Sequence, residues 1–365
     1  MKTYIVPEYY EHFKCKCGDC RHSCCDGWPV RISMKEYYQL LGTECSLQLR
    51  TKLDCTLKVC SQPTKEIYAV ISSNYQGVCM LHSEDGLCFL QSELGEEFLP
   101  QVCRLYPRNT KQISRNYECS CSNSCEAVIE LLLHRKEPLL FQEKVLTRTP
   151  VFEQPLSSLQ YNRCKQSISI LQDRNLSLVN RLLQLGSFLY MTDINDQKPE
   201  HLFDAFQLLH TFHQYFEDSP SISGYSNFTQ DYFSTKDKDE LTVEDLTYIA
   251  LKHRFASEQL DNTIPDWQIL LEQCMINHMF YNSFPYGDNQ LLERDAYLSL
   301  IIMYSFLRFN LLAYMSKERS ADHLVDFLAS MFRLIEHSNF KYLSVQLYKK
   351  ETSKKSDCIT QLIYV

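Results

Sequence analysis

Apolar positions in the last two thirds of the chain recur at the spacing of α-helices. The segments Asn180–Tyr190 and Leu202–Phe216 carry apolar residues at this spacing, which predicts amphipathic helices. Leu291–Tyr314 is apolar almost all round, so it is predicted to be a central buried helix. Ser320–His337 has one apolar face, formed by Leu324, Phe327, Leu328, Met331, Leu334 and Ile335. The pattern predicts a helical domain from residue 136 to residue 365.

In the first third of the chain, the patterns of apolar and polar residues are shorter and more varied. Ser33 followed by Glu36 forms a capping box, which predicts the start of a helix. Ile67–Ile71 has the composition of a buried strand, and Lys111–Cys121 that of a short hairpin turning at Arg115-Asn116. We therefore predict a protein that is mainly α, with an irregular α+β cysteine-rich metal-binding module at its N-terminus, residues 1–135.

Local signals also predict where helices begin. Ser124 is a candidate N-cap for a helix over Cys125–His134, and Thr242 is one for a helix that carries Asp245 in its first turn. Pro265 favours the start of a further helix.

Two polar segments are predicted to lie outside regular structure. Ser219–Glu240 combines proline, glycine and a run of alternating charges, which predicts a loop. The charged segment Lys349–Lys355 predicts a frayed tail that includes Cys358.

Composition narrows the class of protein. The chain has 365 residues, of which 44% are hydrophobic and 22% charged, and this balance is typical of globular domains. Its net charge of −8 argues against a general nucleic-acid binder, because phosphate binding requires clustered Lys and Arg.

No segment is long and apolar enough to predict a membrane span. The best candidate, Tyr297–Leu307, is followed by Arg308 well short of the ~20 residues that a bilayer requires. The N-terminus lacks the apolar core and the cleavage site of a signal peptide. We therefore expect a cytoplasmic protein with no membrane partner and no nucleic-acid partner.

Cysteines dominate the N-terminal third. Five of the 17 cysteines lie within Cys15–Cys25, and nine more follow up to residue 125, among them Cys79, Cys88, Cys103, Cys119, Cys121 and Cys125. A secreted disulfide scaffold would explain the number but is normally small and made with a signal peptide. Convergent thiolates that bind a metal are the better explanation.

The identity of the metal remains open at this stage. The number of cysteines exceeds the four ligands of one zinc ion and suits one iron–sulfur cluster of the 4Fe-4S type with spare thiols, or two metal sites, while a structural zinc site stays the alternative. No C-x3-C-x2-C motif and no G-x-G motif after a strand are present. The absence of the G-x-G motif argues against a standard Rossmann methyltransferase domain.

Two blocks of residues resemble a known family. The first reads Phe13-x-Cys15-x4-Cys20-x3-Cys24-Cys25-x2-Trp28, and the second reads Cys79-x8-Cys88-x2-Gln91-x3-Gly95-x3-Leu99-Pro100-x2-Cys103-Arg104-x-Tyr106-Pro107-Arg108. Ser124-Cys125-Glu126-Ala127 follows, and the C-terminal half adds Asn277, Phe284-Pro285 and Arg333-x2-Glu336-His337. This pattern resembles the flagellin lysine N-methylase family. The cysteine blocks also resemble a broader family of zinc- or iron-chelating proteins.

The resemblance implies a protein-lysine N-methyltransferase that uses S-adenosylmethionine and an iron–sulfur cluster, with flagellin or another protein as substrate. The cysteines that it implies as metal ligands are Cys15, Cys20, Cys24, Cys25, Cys79, Cys88, Cys103 and Cys125. Cys17, Cys119 and Cys121 are additional thiols, and His82 stands where the family usually has an apolar residue. The rival hypothesis is a non-enzymatic structural or sensory metal module with a helical partner-binding domain.

Several other residues have two possible roles. Arg104 and Arg108 could bind the carboxylate of the methyl donor, or they could pair with acidic groups and helix-end carbonyls. Trp28 is expected to pack against the module rather than to touch substrate, and Glu336 to lie on a solvated acidic face rather than to attract a substrate lysine. His337 is expected to be a hydrogen-bonded histidine at a helix end rather than a functional residue. The sequence singles out no catalytic base among these side chains or the 23 tyrosines.

Overall fold

The computed structural model describes residues 2–26, 30–146, 151–190, 197–217, 241–287, 291–317, 319–351 and 358–365. Trp28 and the predicted loop Ser219–Glu240 lie outside these residues. The described chain forms two compact units. We call Lys14–Arg108 the cysteine unit and the remaining described residues the helical unit.

The division differs from the expected boundary after residue 135. The chain begins in the helical unit, leaves it at Lys14 and returns at Asn109. The boundary predicted from the density of cysteines lies too far toward the C-terminus, because Cys119 and Cys121 lie in a strand of the helical unit. There they are buried as small apolar side chains.

Within the described residues, the strands and helices follow one another in mixed order along the chain. The strands are β1 (Lys2–Pro7), β2 (Val30–Ile32), β3 (Leu57–Val59), β4 (Ala69–Ile71), β5 (Arg108–Ile113), β6 (Asn116–Cys121), β7 (Phe141–Leu146) and β8 (Phe152–Gln154). The helices are α1 (Met34–Gly42), α2 (Leu47–Thr56), α3 (Phe89–Leu94), α4 (Gln101–Leu105), α5 (Glu126–Leu133), α6 (Ser158–Leu171), α7 (Leu178–Tyr190), α8 (Phe203–Glu217), α9 (Val243–Thr263), α10 (Trp267–Tyr281), α11 (Glu293–Met315), α12 (Ala321–His337), α13 (Phe340–Glu351) and α14 (Cys358–Tyr364). The chain is therefore mainly α with some β, as predicted.

The cysteine unit is built on a small antiparallel sheet with strand order β2-β4-β3. Helix α1 begins at the predicted capping box, in which the Ser33 side chain accepts from the Glu36 backbone N–H and Glu36 bonds back to Ser33. Leu49 and Leu53 of α2 pack with Ile71 of β4 in the core. The predicted strand Ile67–Ile71 is confirmed in its second half.

The helical unit contains a five-stranded sheet with order β7-β1-β6-β5-β8. Strand β1 pairs in parallel with β6 and antiparallel with β7, and β5 pairs in parallel with β8. Strands β5 and β6 are the predicted hairpin. Helix α10 packs on β6 and on α5, and α12 also packs on α5. These contacts bring the segment between β6 and α5 against two helices of the C-terminal half.

Helix α11 is the core of the helical unit, as its apolar sequence predicted. Helices α7, α9, α12, α13 and α14 all pack against it. In the described part of the chain it is the one helix long and apolar enough to cross a membrane, and 94% of its apolar window is buried inside the fold.

Arg308 lies within α11, as the predicted helix Leu291–Tyr314 required, and its guanidinium donates to the carbonyl of Val365 and stacks over Trp267, 5.5 Å from the ring centroid. Two local predictions are wrong. Cys358 is not in a frayed tail but begins α14, where it is buried. The N-cap of α5 is Cys125 rather than Ser124, and its side chain makes no capping hydrogen bond. The predicted cap at Thr242 of α9 is confirmed.

Candidate functional site

A buried carboxylate marks the candidate site in the helical unit. Glu336, in the last turn of α12, has a side chain that is only 1% exposed. Its Oε1 atom lies 2.8 Å from Nδ1 of His278 on α10, and its Oε2 atom accepts a hydrogen bond from Ser122. The prediction that Glu336 lies on a solvated face is wrong, because the packing of α12 on α5 turns it inward.

Two serines connect this carboxylate to the neighbouring histidine. The hydroxyl oxygens of Ser122 and Ser124 lie 2.5 Å apart, and Ser124 Oγ lies 2.8 Å from Nε2 of His337. His337 is therefore hydrogen-bonded at the end of its helix, as predicted. A carboxylate removed from water requires such partners, because an unpaired buried charge is very costly.

A second network fixes the segment that carries these serines. The Tyr9 hydroxyl donates to Oδ1 of Asn277 at 2.7 Å and accepts from the Cys121 backbone N–H at 3.0 Å. Asn277 Nδ2 donates to the Cys121 carbonyl at 2.9 Å and to Oδ1 of Asn123 at 2.6 Å. Burial raises the pKa of Tyr9 well above its usual value, so the phenol stays neutral. The network holds the β6–α5 segment against α10.

A cavity of about 120 Å³ lies beside Glu336 and His278. Its walls include the apolar side chains of Phe284, Leu300 and Met303. An engineered protein cavity of about 150 Å³ is large enough to bind benzene. The cavity is therefore of a size to accept a slender alkyl side chain that ends at the Glu336 carboxylate.

One wall of the cavity is formed by Asn282 and Gly287. Asn282 Nδ2 donates to the carbonyl of His278 at 3.0 Å and lies 3.1 Å from Nδ1 of the same residue. A Cβ atom added to Gly287 would lie 1.4 Å from the Asn282 carbonyl oxygen. The wall therefore requires glycine at position 287.

In the cysteine unit, the structure brings together several of the predicted metal ligands. Burial raises the pKa of Cys103, and the charges of Cys25, Cys79 and Cys88 raise it further. Burial also raises the pKa of Cys79 to about 12. Cys25, Cys88 and Cys103 also pack against the same apolar core that contains Cys79.

The adjacent cysteines of the first motif behave as a pair. A hydrogen bond from Cys24 lowers the pKa of Cys25 to about 6, while the same bond raises the pKa of Cys24. The charge of Cys15 acts on Cys24 as well. Cys20 is half-buried in the same unit, whereas Cys125 belongs to the helical unit at the start of α5.

The cysteine side chains can be compared with the ligands that zinc and an iron–sulfur cluster require. All 17 cysteines lie in the described part of the chain, and none of them forms a disulfide bond. No three His, Cys, Asp or Glu side chains of the described residues form a group that could hold a single metal ion. Sulfurs around one zinc must all lie about 2.3 Å from it. Ligands of an iron–sulfur cluster are thiolates that bind different irons, and the choice between a cluster and zinc stays a prediction.

Arg104 and Arg108, the two residues predicted to bind the carboxylate of the methyl donor, have different surroundings. Burial acts to raise the pKa of Glu36, but hydrogen bonds from Gln101 and Ser33 and the nearby charge of Arg104 lower it. Arg104 thus has an acidic partner, as one of its two predicted roles required. Arg108 begins β5. Their role toward a methyl donor stays a prediction.

Sequence reasoning missed the residues that surround Glu336. No pattern in the sequence assigned a functional role to His278, Ser122 or Tyr9. The available signal was the polar pair Asn277-His278 within the apolar sequence of α10. The run Ser122-Asn123-Ser124 directly before an apolar helix was a second signal.

The sequence was compared with known proteins. The family model described as the FliB lysine N-methylase C-terminal domain matches residues 165–360, more than half of the chain. Two relatives named "Lysine-N-methylase", from Salmonella choleraesuis and Salmonella typhimurium, are 23% identical over 158 residues, or 43% of this chain and 39% of theirs. A "Flagellar biosynthetic protein FliU" from Salmonella muenchen is 23% identical over 142 residues, or 39% of this chain and 83% of its own. The match thus spans about two fifths of the length of the lysine-N-methylases. No solved structure matches.

Proposed function

The chain belongs to the FliB lysine N-methylase family, and from this premise we propose that it transfers methyl groups to lysine side chains of a protein substrate. The observation that carries the proposal is the cavity, lined by both apolar and polar side chains, beside the buried Glu336–His278 pair. A lysine side chain has the matching form, an alkyl stem that ends in an amine. The flagellar names of the relatives make flagellin the first substrate to test.

The chemistry of the reaction requires a proton acceptor at this position. A lysine ammonium cannot attack a methyl group until it has lost a proton. Glu336, or His278 beside it, accepts this proton. The amine nitrogen then forms a bond to the methyl carbon of S-adenosylmethionine, and the carbon–sulfur bond breaks with its electron pair going to sulfur. Ser122 keeps the carboxylate oriented toward the cavity.

The same proposal includes the metal. Cys24, Cys25, Cys79, Cys88 and Cys103 would hold an iron–sulfur cluster, with Cys15 and Cys20 as further candidates near the same motif. A cluster held there would offer a binding position for the amino and carboxylate groups of a donor. Arg104 and Arg108 are the proposed further contacts for that carboxylate. We place the protein in the cytoplasm, without a nucleic-acid or membrane partner.

The decisive variant for methyl transfer is Glu336→Gln. Removing a general base typically lowers the rate 10²- to 10⁴-fold. We expect kcat on flagellin to fall by that order while KM changes little, and the mass gain per modified lysine to disappear. Glu258→Gln, an exposed glutamate on α9, is the matched control and should keep the parental rate. A folded Glu336→Gln protein with the parental rate would contradict the proposal.

The rival function is a non-enzymatic zinc or iron module with a helical partner-binding domain. Anaerobic purification followed by iron, sulfide and zinc analysis distinguishes the two metals. Stoichiometric zinc without iron, together with no mass gain on flagellin, would favour the rival.

A further inference from the structure

A second opening of the helical unit adjoins the cavity beside Glu336. It is a cleft of about 330 Å³ lined by Asn109 and Lys111 of β5, by residues 152–155 at β8, and by Tyr281, Asn282 and Gly287. Asn282 and Gly287 also line the cavity, so the two spaces meet at these residues.

One face of the sheet forms the floor of this cleft. Lys111 of β5 stands opposite Phe152 of β8 in the parallel register, and Gln154 follows two residues later, so these three side chains share a face. Their contacts agree, because Ser283 Oγ accepts from Lys111 Nζ at 2.7 Å and donates to Gln154 Oε1 at 3.1 Å. Glu153 lies between Phe152 and Gln154 and therefore points to the opposite face.

The floor carries polar groups but almost no net charge. The ammonium of Lys111 lies 3.4 Å from the carboxylate of Glu118, which offsets its charge. Asn109 and Gln154 add side-chain amides, and Asn109 Nδ2 donates to the Tyr281 carbonyl at 3.3 Å. An amide side chain both donates and accepts hydrogen bonds, as a peptide group does. The floor therefore suits a neutral chain of peptide groups better than an ionised small molecule.

The outer side of the cleft is an edge of the sheet. Within the described residues β8 pairs only with β5, so it ends the five-stranded sheet. An edge strand leaves backbone N–H and C=O groups unpaired, and an extended peptide can add to it as a further strand. The side chains of an added strand alternate between the two faces of the sheet. Every second one lies on the face of Phe152, whose side chain is 52% exposed.

We propose that this cleft binds the main chain of the substrate segment that carries the target lysine, with β8 as the strand to which the segment pairs. The proposal rests on the function proposed above and adds the surface that recognises the protein substrate. The lysine side chain lies on the cleft face and enters the cavity where Asn282 and Gly287 line both spaces.

The reach of a lysine fits the contacts that lead from the cleft to the carboxylate. Asn282 Nδ2 lies 3.1 Å from Nδ1 of His278, and this nitrogen lies 2.8 Å from Glu336 Oε1. An extended lysine side chain spans about 6 Å from Cα to Nζ, since it has five bonds of about 1.5 Å each. Its amine therefore reaches Glu336 while its backbone stays in the cleft.

The same orientation gives a preference for the residues on either side of the lysine. These two neighbours point to the opposite face of the sheet, where Glu153 is exposed. A carboxylate there attracts basic neighbours and repels acidic ones. Recognition thus combines main-chain pairing, which reads no sequence, with a charge preference at the two flanking positions.

Site-specific photocross-linking tests the contact without any turnover. In the anaerobically purified, metal-loaded protein, Phe152→p-benzoylphenylalanine should capture flagellin. The same photoreactive residue in place of Leu159, which is exposed on α6, should not. Mass mapping should place the cross-link within a few residues of a lysine that the parent methylates.

Kinetics with flagellin give a second measurement. Phe152→Ala should raise KM about tenfold with little change in kcat, because an aromatic residue at an interface commonly contributes a factor of this size. Glu143→Gln, at an exposed glutamate on β7 at the other edge of the sheet, should keep the parental KM.

Two synthetic peptides test the orientation of the segment. One has arginine on both sides of its lysine, and the other has glutamate. The parent should show the lower KM for the arginine peptide. Glu153→Lys should reduce or reverse this preference, whereas Glu143→Lys should preserve it. An unchanged preference in Glu153→Lys would overturn the pairing with β8.

The outcomes separate this proposal from the function on which it rests. If position 152 captures no more flagellin than position 159, and Phe152→Ala keeps the parental KM, the cleft is not the substrate site. Methyl transfer by the parent would still support the proposed function in that case. If the metal-loaded parent neither methylates flagellin nor is cross-linked to it, both proposals fail.

Discussion

The cysteine unit buries ten apolar residues in its main cluster, whereas α11 alone buries 19 of its 23 residues in the helical unit. Half-buried thiols of Cys25, Cys88 and Cys103 pack against the smaller core. A small core leaves little margin over the entropy of the unfolded chain. The comparison suggests that apolar burial stabilises the helical unit, while the cysteine unit depends on what its thiols bind.

The largest expected effect is the loss of the metal. Anaerobic chelation should expose Lys14–Arg108 to protease while the helical unit stays resistant, because metal binding contributes directly to folding in such modules. Limited proteolysis with mass mapping measures this. Cys103→Ser should behave like the chelated protein, and Cys55→Ser, at an exposed cysteine of the same unit, like the parent. Equal digestion of both units would contradict the prediction that the cysteine unit depends on the metal and the helical unit does not.

A core truncation in the helical unit should give the next largest effect. Leu328 of α12 is fully buried, so Leu328→Ala should lower the unfolding free energy by about 2–5 kcal/mol. Denaturant unfolding measures the change. Leu159→Ala, at an exposed leucine of α6, should change it by less than about 0.5 kcal/mol. Iron content should be the same in both variants, and loss of iron from Leu328→Ala alone would show that the units are not independent.

The pH dependence of the helical unit should reflect His253. Burial and the charge of Arg308 lower its pKa to about 3, whereas an unfolded histidine titrates near 6.5. Between these values the unfolded chain binds one more proton, so the unfolding free energy falls as the pH falls below 6.5. The expected loss is about 2 kcal/mol at pH 5.

Replacing the histidine isolates this contribution. His253→Leu should show a smaller fall in unfolding free energy between pH 6.5 and pH 5 than the parent. His201→Leu, at an exposed histidine, should keep the parental slope. An unchanged slope in His253→Leu would mean that His253 is already protonated in the folded state.

The smallest expected effect comes from a cysteine of the helical unit. Cys358 is buried in α14, so Cys358→Ser should lower the unfolding free energy by about 1 kcal/mol through the burial of a hydroxyl. Iron and sulfide should remain at the parental level, in contrast to Cys24→Ser. Thermal unfolding and metal analysis of the two variants give the result directly. Metal loss from Cys358→Ser would show that cysteines buried in the helical unit are not distinct from the metal-binding cysteines of the cysteine unit.

The sequence predicted those elements whose signal is local. The caps at Ser33 and Thr242 and the apolar helix α11 depend on residues a few positions apart. The error at Cys358 arose because a distant partner decides the outcome: the segment is ordered because α14 packs on α11.

The candidate site could be predicted only in part for the same reason. The motif carrying Glu336 was visible in the sequence, but its burial depends on α5 and its pairing on His278 of another helix. Ser122 lies far from Glu336 along the chain, and nothing local links them. The cysteines were easier to find, since a high local density of one rare residue type needs no knowledge of the fold.

The return of the chain at Asn109 has a consequence for synthesis on the ribosome. Strand β1 emerges first, yet Ile5 pairs with Glu118 and Lys2 with Leu146, which are translated much later. The whole of Lys14–Arg108 has been translated before β1 can pair with either of its neighbours. The cysteine unit is therefore complete along the nascent chain while β1 still lacks both of its strand partners, so β1 must stay unpaired throughout the synthesis of that unit.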